Sequence, residues 1–177
     1  MLAYIFVLLA IVIRFAIPMH VLGLPFHFVP LAASLLFFGA KMPRKQLWIP
    51  VVLFAASDII LTKLVYQYPF KADTAVSWIW YAGALGIGML LRKNDKLVRV
   101  AGASLVASIS FFVISNLGVF LAWNMYPKTW AGLVECYTLA LPFFRNTLIS
   151  DMLFALAFFS IPVAIEHLSG KQVRERA

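Results

Sequence analysis

Apolar residues fall in six runs separated by short polar or proline-containing links. The runs cover roughly residues 2–17, 26–40, 47–66, 75–91, 100–123 and 147–166. A helix needs about 20 mostly apolar residues to cross the hydrocarbon core of a bilayer, and most of these runs approach that length. Pro18 ends the first run. The second is short, with Pro30 near its start, and the fifth is long enough to tilt. The pattern predicts an all-α membrane protein: a six-transmembrane-helix bundle forming a single integral membrane domain over residues 1–177. Residues 2–13 have no basic stretch before them and no clean small-x-small site after them, so they read as a retained helix rather than a signal peptide.

Composition argues against a soluble fold. The chain is 63% hydrophobic and 12% charged, against about 25% charged in a soluble domain. A soluble protein of this size could not hide that much apolar surface. The net charge of +8 would suggest nucleic acid in a soluble protein. Here the basic residues cluster between apolar runs, which is a topology signal, and no nucleic-acid partner is expected. Lys41, Arg44 and Lys45 follow the second run, Arg92, Lys93, Lys96 and Arg99 follow the fourth, and Lys171, Arg174 and Arg176 follow the sixth. The other links hold only Lys71, Lys128 and Arg145. The positive-inside rule therefore predicts an N-in/C-in, multi-pass protein of the cell inner (cytoplasmic) membrane.

The outer links carry more structure. Residues 18–30 hold His20 and His27 among three prolines, and residues 124–146 hold Trp130, Tyr137, Phe143 and Phe144. The longer link predicts a short helix at the interface or dipping into the outer face. Trp78, Trp80, Tyr81 and Trp123 read as an aromatic belt. Gly83, Gly86 and Gly88, and Ala101, Gly102, Ala103 and Ala107, read as small residues that let helices approach.

Ionisable groups inside a bilayer are costly, which makes each a candidate functional residue. Asp58 lies roughly 16 Å along its run from Leu47, near mid-membrane. Arg14, Lys63, Asn116, Asn124, Arg145, Asn146 and Asp151 fall in the outer half or at the outer mouth. Two arrangements fit the same residues. They line a polar cavity open to the outside, or they satisfy one another, with Asp58 or Asp151 paired to Arg14 or Arg145. Lys63 sits where a lysine snorkels to the interface. No nucleophile elbow or phosphate loop is present, and His20 and His27, seven apart, lack the i, i+4 spacing of a helical metal site. No enzyme activity, metal or cofactor is expected. Cys136, alone, forms no disulfide within the chain.

Three stretches carry a resemblance: FVPLAASLLFFGA at 28–40 with the basic turn Lys41–Lys45, the pair Ser57-Asp58, and SFFVISNLGVFLAWNMYPKTWAGLVECYTLALPFFRNTLISD at 110–151. Together they resemble a family of small uncharacterised bacterial membrane proteins, over roughly residues 5–165. That family is in turn similar to the S components of energy-coupling-factor transporters, which capture vitamins and metal ions. The resemblance implies an S-component-like bundle with a ligand pocket near the outer face and ATPase-driven transporter subunits as partners. It points to Asp58, Asn116, Arg145, Asn146 and Asp151 as pocket residues, with Arg145 suited to clamp a carboxylate or phosphate. Trp123, Tyr126 and Tyr137 are suited to stack on a flat ring. S components carry small residues on the first helix where the membrane subunit docks, whereas this chain has only Ala3, Ala10 and Ala16 there.

The expected function is a membrane-embedded small-molecule binding or transport component, taking its ligand from the outer side into a pocket made by runs one, three, five and six. One rival is a membrane interaction or assembly protein whose polar cluster is structural. A second is an enzyme acting on a lipid-linked substrate through Asp151 and Arg145.

Overall fold

A computed structural model describes residues 1–18, 23 and 28–175. Every regular element among them is helical. Helix α1 spans Leu2–Ala16, α2 Leu31–Lys41, α3 Trp48–Ile60, α4 Ala72–Leu90, α5 Leu97–Ala122 and α6 Trp130–Glu175. A 3-10 turn, Arg44–Gln46, leads into α3, and a π-helical stretch, Leu61–Val65, extends it. Among the described residues, three stretches are long and apolar enough to cross a membrane: Arg44–Val65, Leu97–Ala122 and Trp130–Leu168. Helices α1 and α2 are shorter apolar helices.

Local chemistry sets the helix ends. Gln67, at φ 55°, takes the left-handed conformation just past the π-helical stretch and turns the chain out. Lys71 is extended and Asp73 follows in the first turn of α4, where a carboxylate suits the positive end of the helix dipole. Arg92 donates through Nε to the Gly39 carbonyl oxygen at 2.9 Å, covering an end group of α2. Lys128 does the same for α5, donating to the carbonyls of Phe120 and Trp123. Its ammonium also lies 4.7 Å from the Phe120 ring centroid.

Helix α2 is the centre of the molecule. Every residue from Ala32 to Ala40 is buried, by α1, α4, α5 and α6. Its 11 residues make a rod of about 16 Å, roughly half the hydrocarbon thickness of a bilayer. On one side Phe37 meets Phe6 of α1 at 4.9 Å and Phe159 of α6 at 5.0 Å, and Phe6 stacks on Phe158 at 3.9 Å. On the other side the backbones of α2 and α4 touch. A Cβ on Gly39 would collide with the Leu85 carbonyl oxygen, and one on Gly88 with that of Leu36. Lipid tails are as apolar as the protein, so close packing of this kind is a main source of helix attraction in a bilayer. Gly83, Gly86 and Gly102 face open space and play no such part.

Two expectations are corrected. Residues 130–146 form no separate interfacial helix, because α6 runs unbroken for 46 residues through Pro142 and Pro162. Neighbouring helices make a proline tolerable inside an apolar helix, and α5 supplies that support. The Tyr137 hydroxyl donates to the Val113 carbonyl at 2.6 Å, and Phe112 packs on Phe144 at 4.5 Å. At about 1.5 Å per residue α6 is roughly 69 Å long, far more than one bilayer. Second, Trp80 and Tyr81 are no belt: they are 5% and 2% exposed and point into the bundle. The histidines His20 and His27 lie outside the described residues.

Candidate functional site: two buried carboxylates and the cavity between them

Asp58 and Asp151 are both buried, at 6% and 2% exposure. Their surroundings differ. Asp58, on α3, forms an ion pair with Arg14 of α1 through Oδ1. Its Oδ2 accepts from Trp78 Nε1 at 3.0 Å and from the Tyr81 hydroxyl at 2.9 Å. Arg14 also donates to Ser57 Oγ at 3.2 Å. Three helices are thereby tied by one network in which the charge is neutralised and both carboxylate oxygens are used.

Asp151, on α6, forms no ion pair among the described residues. Its Oδ2 accepts from the Ser108 hydroxyl of α5 at 2.8 Å. The backbone amides of Ala32 and Ala33, in the first turn of α2, lie against the carboxylate. Those amides have no acceptor within their own helix, and the dipole there favours negative charge. Oδ1 makes no hydrogen bond of good geometry. Asp151 therefore covers the N-terminus of the buried α2 from another helix, half-way along α5.

A cavity of about 160 Å³ lies between the two networks, lined by Arg14, Ser77, Trp80, Tyr81, Phe111 and Asp151 among others. Val29, Leu31 and Ala32 close it on the α2 side, and Thr147 on the α6 side. A larger cavity of about 470 Å³, lined by Ile17, Pro18, Leu61, Tyr66 and Tyr68, shares Arg14 and Val29 with it. A third, of about 230 Å³ between α5 and α6, shares Phe111 and Thr147.

The structure separates the expected site residues. Asp151 alone lines the central cavity, and Asp58 stands behind Arg14, so α3 contributes no lining residue. Asn116 lines the α5–α6 cavity, with its Nδ2 donating to the Phe112 carbonyl at 2.8 Å. Trp123 donates through Nε1 to Asp73 Oδ2 at 3.0 Å, with Lys71 Nζ 3.8 Å above its ring, which clamps the tops of α4 and α5. Tyr137 lines an apolar groove with Trp130 and Leu141. Tyr126 and Asn146 are half-buried and line none of these cavities. Arg145 is exposed and reaches neither carboxylate. Sequence reasoning placed Arg14 among the intramembrane polar residues, but missed Tyr81 as a partner of Arg14 and Asp58, Ser108 as the partner of Asp151, and Ser77 as a lining residue of the cavity. The spacing of Trp78 and Tyr81, three apart and so on one helix face, was the available signal. Among the described residues no three His, Cys, Asp or Glu side chains converge as a metal site would require.

The profile of a family of unknown function (DUF6580) matches residues 1–172. The chain belongs to that family. No curated protein and no solved structure matches it. Membership covers nearly the whole chain, so the network around Asp58 and the cavity at Asp151 both lie within the family region.

Proposed function

We propose that this family member is a small-molecule capture component of a transport system. It crosses the cytoplasmic membrane six times, with both ends inside, and takes its ligand from the outer side into the cavity between Arg14 and Asp151. The observation that carries the reading is Asp151: 2% exposed, at the wall of a cavity, with no cation paired to it among the described residues. An ionisable group in apolar surroundings without a charge partner is where a ligand is expected. The larger cavity that shares Arg14 supplies a route in.

The topology has support from the basic turns. Lys41 pairs with Asp95 at 2.5 Å, and Arg92 bonds the end of α2, so the two basic turns meet at one end of the bundle. Placing that end in the cytoplasm follows the positive-inside rule. Uphill transport would draw its energy from ATPase-driven partner subunits, as the resemblance to S components implies. The lipid-facing side of α1 offers such a partner Ile5, Leu8, Leu9 and Val12, while Ala3 and Ala10 point inward. A contact on α1 would therefore be made by bulky side chains.

A second reading, a structural or assembly protein, is favoured by the saturated network around Asp58. The two separate in one experiment: mass spectrometry of small molecules released from gently purified protein, wild type beside Asp151→Asn. One compound enriched with wild type and lost from the folded variant supports capture. No enriched compound in either preparation moves the weight to the structural reading.

A further inference from the structure

We infer that the ligand is a small organic cation: a protonated amine carried on a ring of about six members. This deepens the capture reading and rests on it. The central cavity is lined by two charged side chains, Arg14 and Asp151. Arg14 already faces Asp58, so its charge is answered within the protein. Asp151 faces only the Ser108 hydroxyl and the first amides of α2. A helix N-terminus carries roughly half a positive charge, which leaves the carboxylate undercompensated. Among the described residues its second oxygen, Oδ1, itself buried, makes no hydrogen bond of good geometry. A ligand in the cavity that brings a positive charge supplies what is missing. An anion would meet the Asp151 charge with no free cation to hold it.

The remaining walls fit the same ligand. Trp80 and Phe111 pack on each other at 4.7 Å between centroids, and with Tyr81 they give the cavity aromatic sides. An organic cation near aromatic faces gains about 0.5–2 kcal/mol from the ring quadrupoles, more as water is excluded. The volume, about 160 Å³, is close to the ~150 Å³ of an engineered apolar cavity that accepts benzene. Ser77 and Thr147 line the cavity as well, but their hydroxyls are bonded to the carbonyls of Asp73 and Phe143. Their protons are engaged while their oxygens can still accept, and the carboxylate is the charged acceptor in the lining.

Three probes of one shape test the charge: benzylamine, protonated at neutral pH, benzyl alcohol and benzoate. Calorimetric titration of the full-length protein in lipid nanodiscs is expected to show benzylammonium bound about tenfold or more tightly than benzyl alcohol. That is the margin a charge-assisted hydrogen bond adds over a neutral one. Benzoate is expected not to bind. In Asp151→Asn the preference for the cation over the alcohol disappears. The ranking on wild type needs no variant, so the test stands even if the variant does not fold. Equal binding of cation and alcohol, preference for benzoate, or no binding by any probe overturns the cation assignment. Failure of the capture reading is separate. A released compound that is neutral or anionic keeps capture and removes the cation, whereas no released compound removes capture itself.

Discussion

Asp58 and Asp151 are the two buried acids among the described residues of one membrane bundle, and their settings are opposite. Asp58 has an arginine, a tyrosine and an indole; Asp151 has a serine and a helix end. A charge in a low-dielectric interior is stable only when its partners neutralise it and fill its lone pairs. Asp58 meets that condition within the protein. Asp151 meets half of it, beside a cavity. Burial alone therefore does not separate the two acids; the cation paired with one and not the other does.

Breaking the first acid gives the largest effect. Asp58→Ala leaves a half-buried Arg14 without its carboxylate, and Trp78 without its acceptor, and is expected to destabilise by about 3 kcal/mol, read by thermal unfolding in detergent. Replacing both partners with apolar residues, Arg14→Met with Asp58→Leu, is expected to recover most of that loss. Without recovery, the pair has a role beyond mutual neutralisation. The next effect comes from Gly88→Ala, which drives a methyl into the Leu36 carbonyl and costs about 1–3 kcal/mol of overpacking. That change displaces α2, whose N-terminus meets Asp151, and removes no side-chain partner of Asp58. Ligand retention is expected to fall with it, in native mass spectrometry.

Asp151→Asn is the sharper contrast. The amide keeps an acceptor oxygen for Ser108, so stability is expected to change by less than about 1 kcal/mol, while the ligand is lost. A loss as large as that of Asp58→Ala would place Asp151 with the structural acids. The smallest effect belongs to a third acid, Asp95, half-exposed at the basic end. Its hydrogen bond from Lys41 holds its carboxyl below the usual carboxylate range. The folded value is lowered, so its contribution is present above the ordinary carboxylate pKa and fades as pH falls through the lowered one. For an exposed pair that is at most about 1 kcal/mol. An Asp95→Asn protein should unfold at the same temperature as wild type at acid pH and slightly lower at neutral pH.

Hydropathy located the helical segments because it reports depth, and depth is what a bilayer selects. It does not report rotation about the helix axis. That is why Trp80 and Tyr81 were legible as aromatic residues but not as walls of the interior. The boundary at 147 misled for a related reason: Pro142, Arg145 and Asn146 look like a helix break, and only the flank of α5 makes them part of one rod. In the site, the polar residues were legible and their pairing was not. Arg14 and Arg145 were equal candidates for either acid, and three-dimensional proximity, which spacing does not encode, gave Arg14 to Asp58. The Ala32 and Ala33 amides have no side-chain signature, so nothing in the sequence announced the role of Asp151 at α2.

The cover that Asp151 places over α2 also has a consequence in time. The amides of Ala32 and Ala33 leave the ribosome long before the residue that caps them. At about 5–20 residues per second, the interval is on the order of ten seconds. Through that interval the central helix carries open donors in an apolar surrounding, where each is costly. The second helix made is thus among the last to be completed, and insertion of α6 closes the bundle from within.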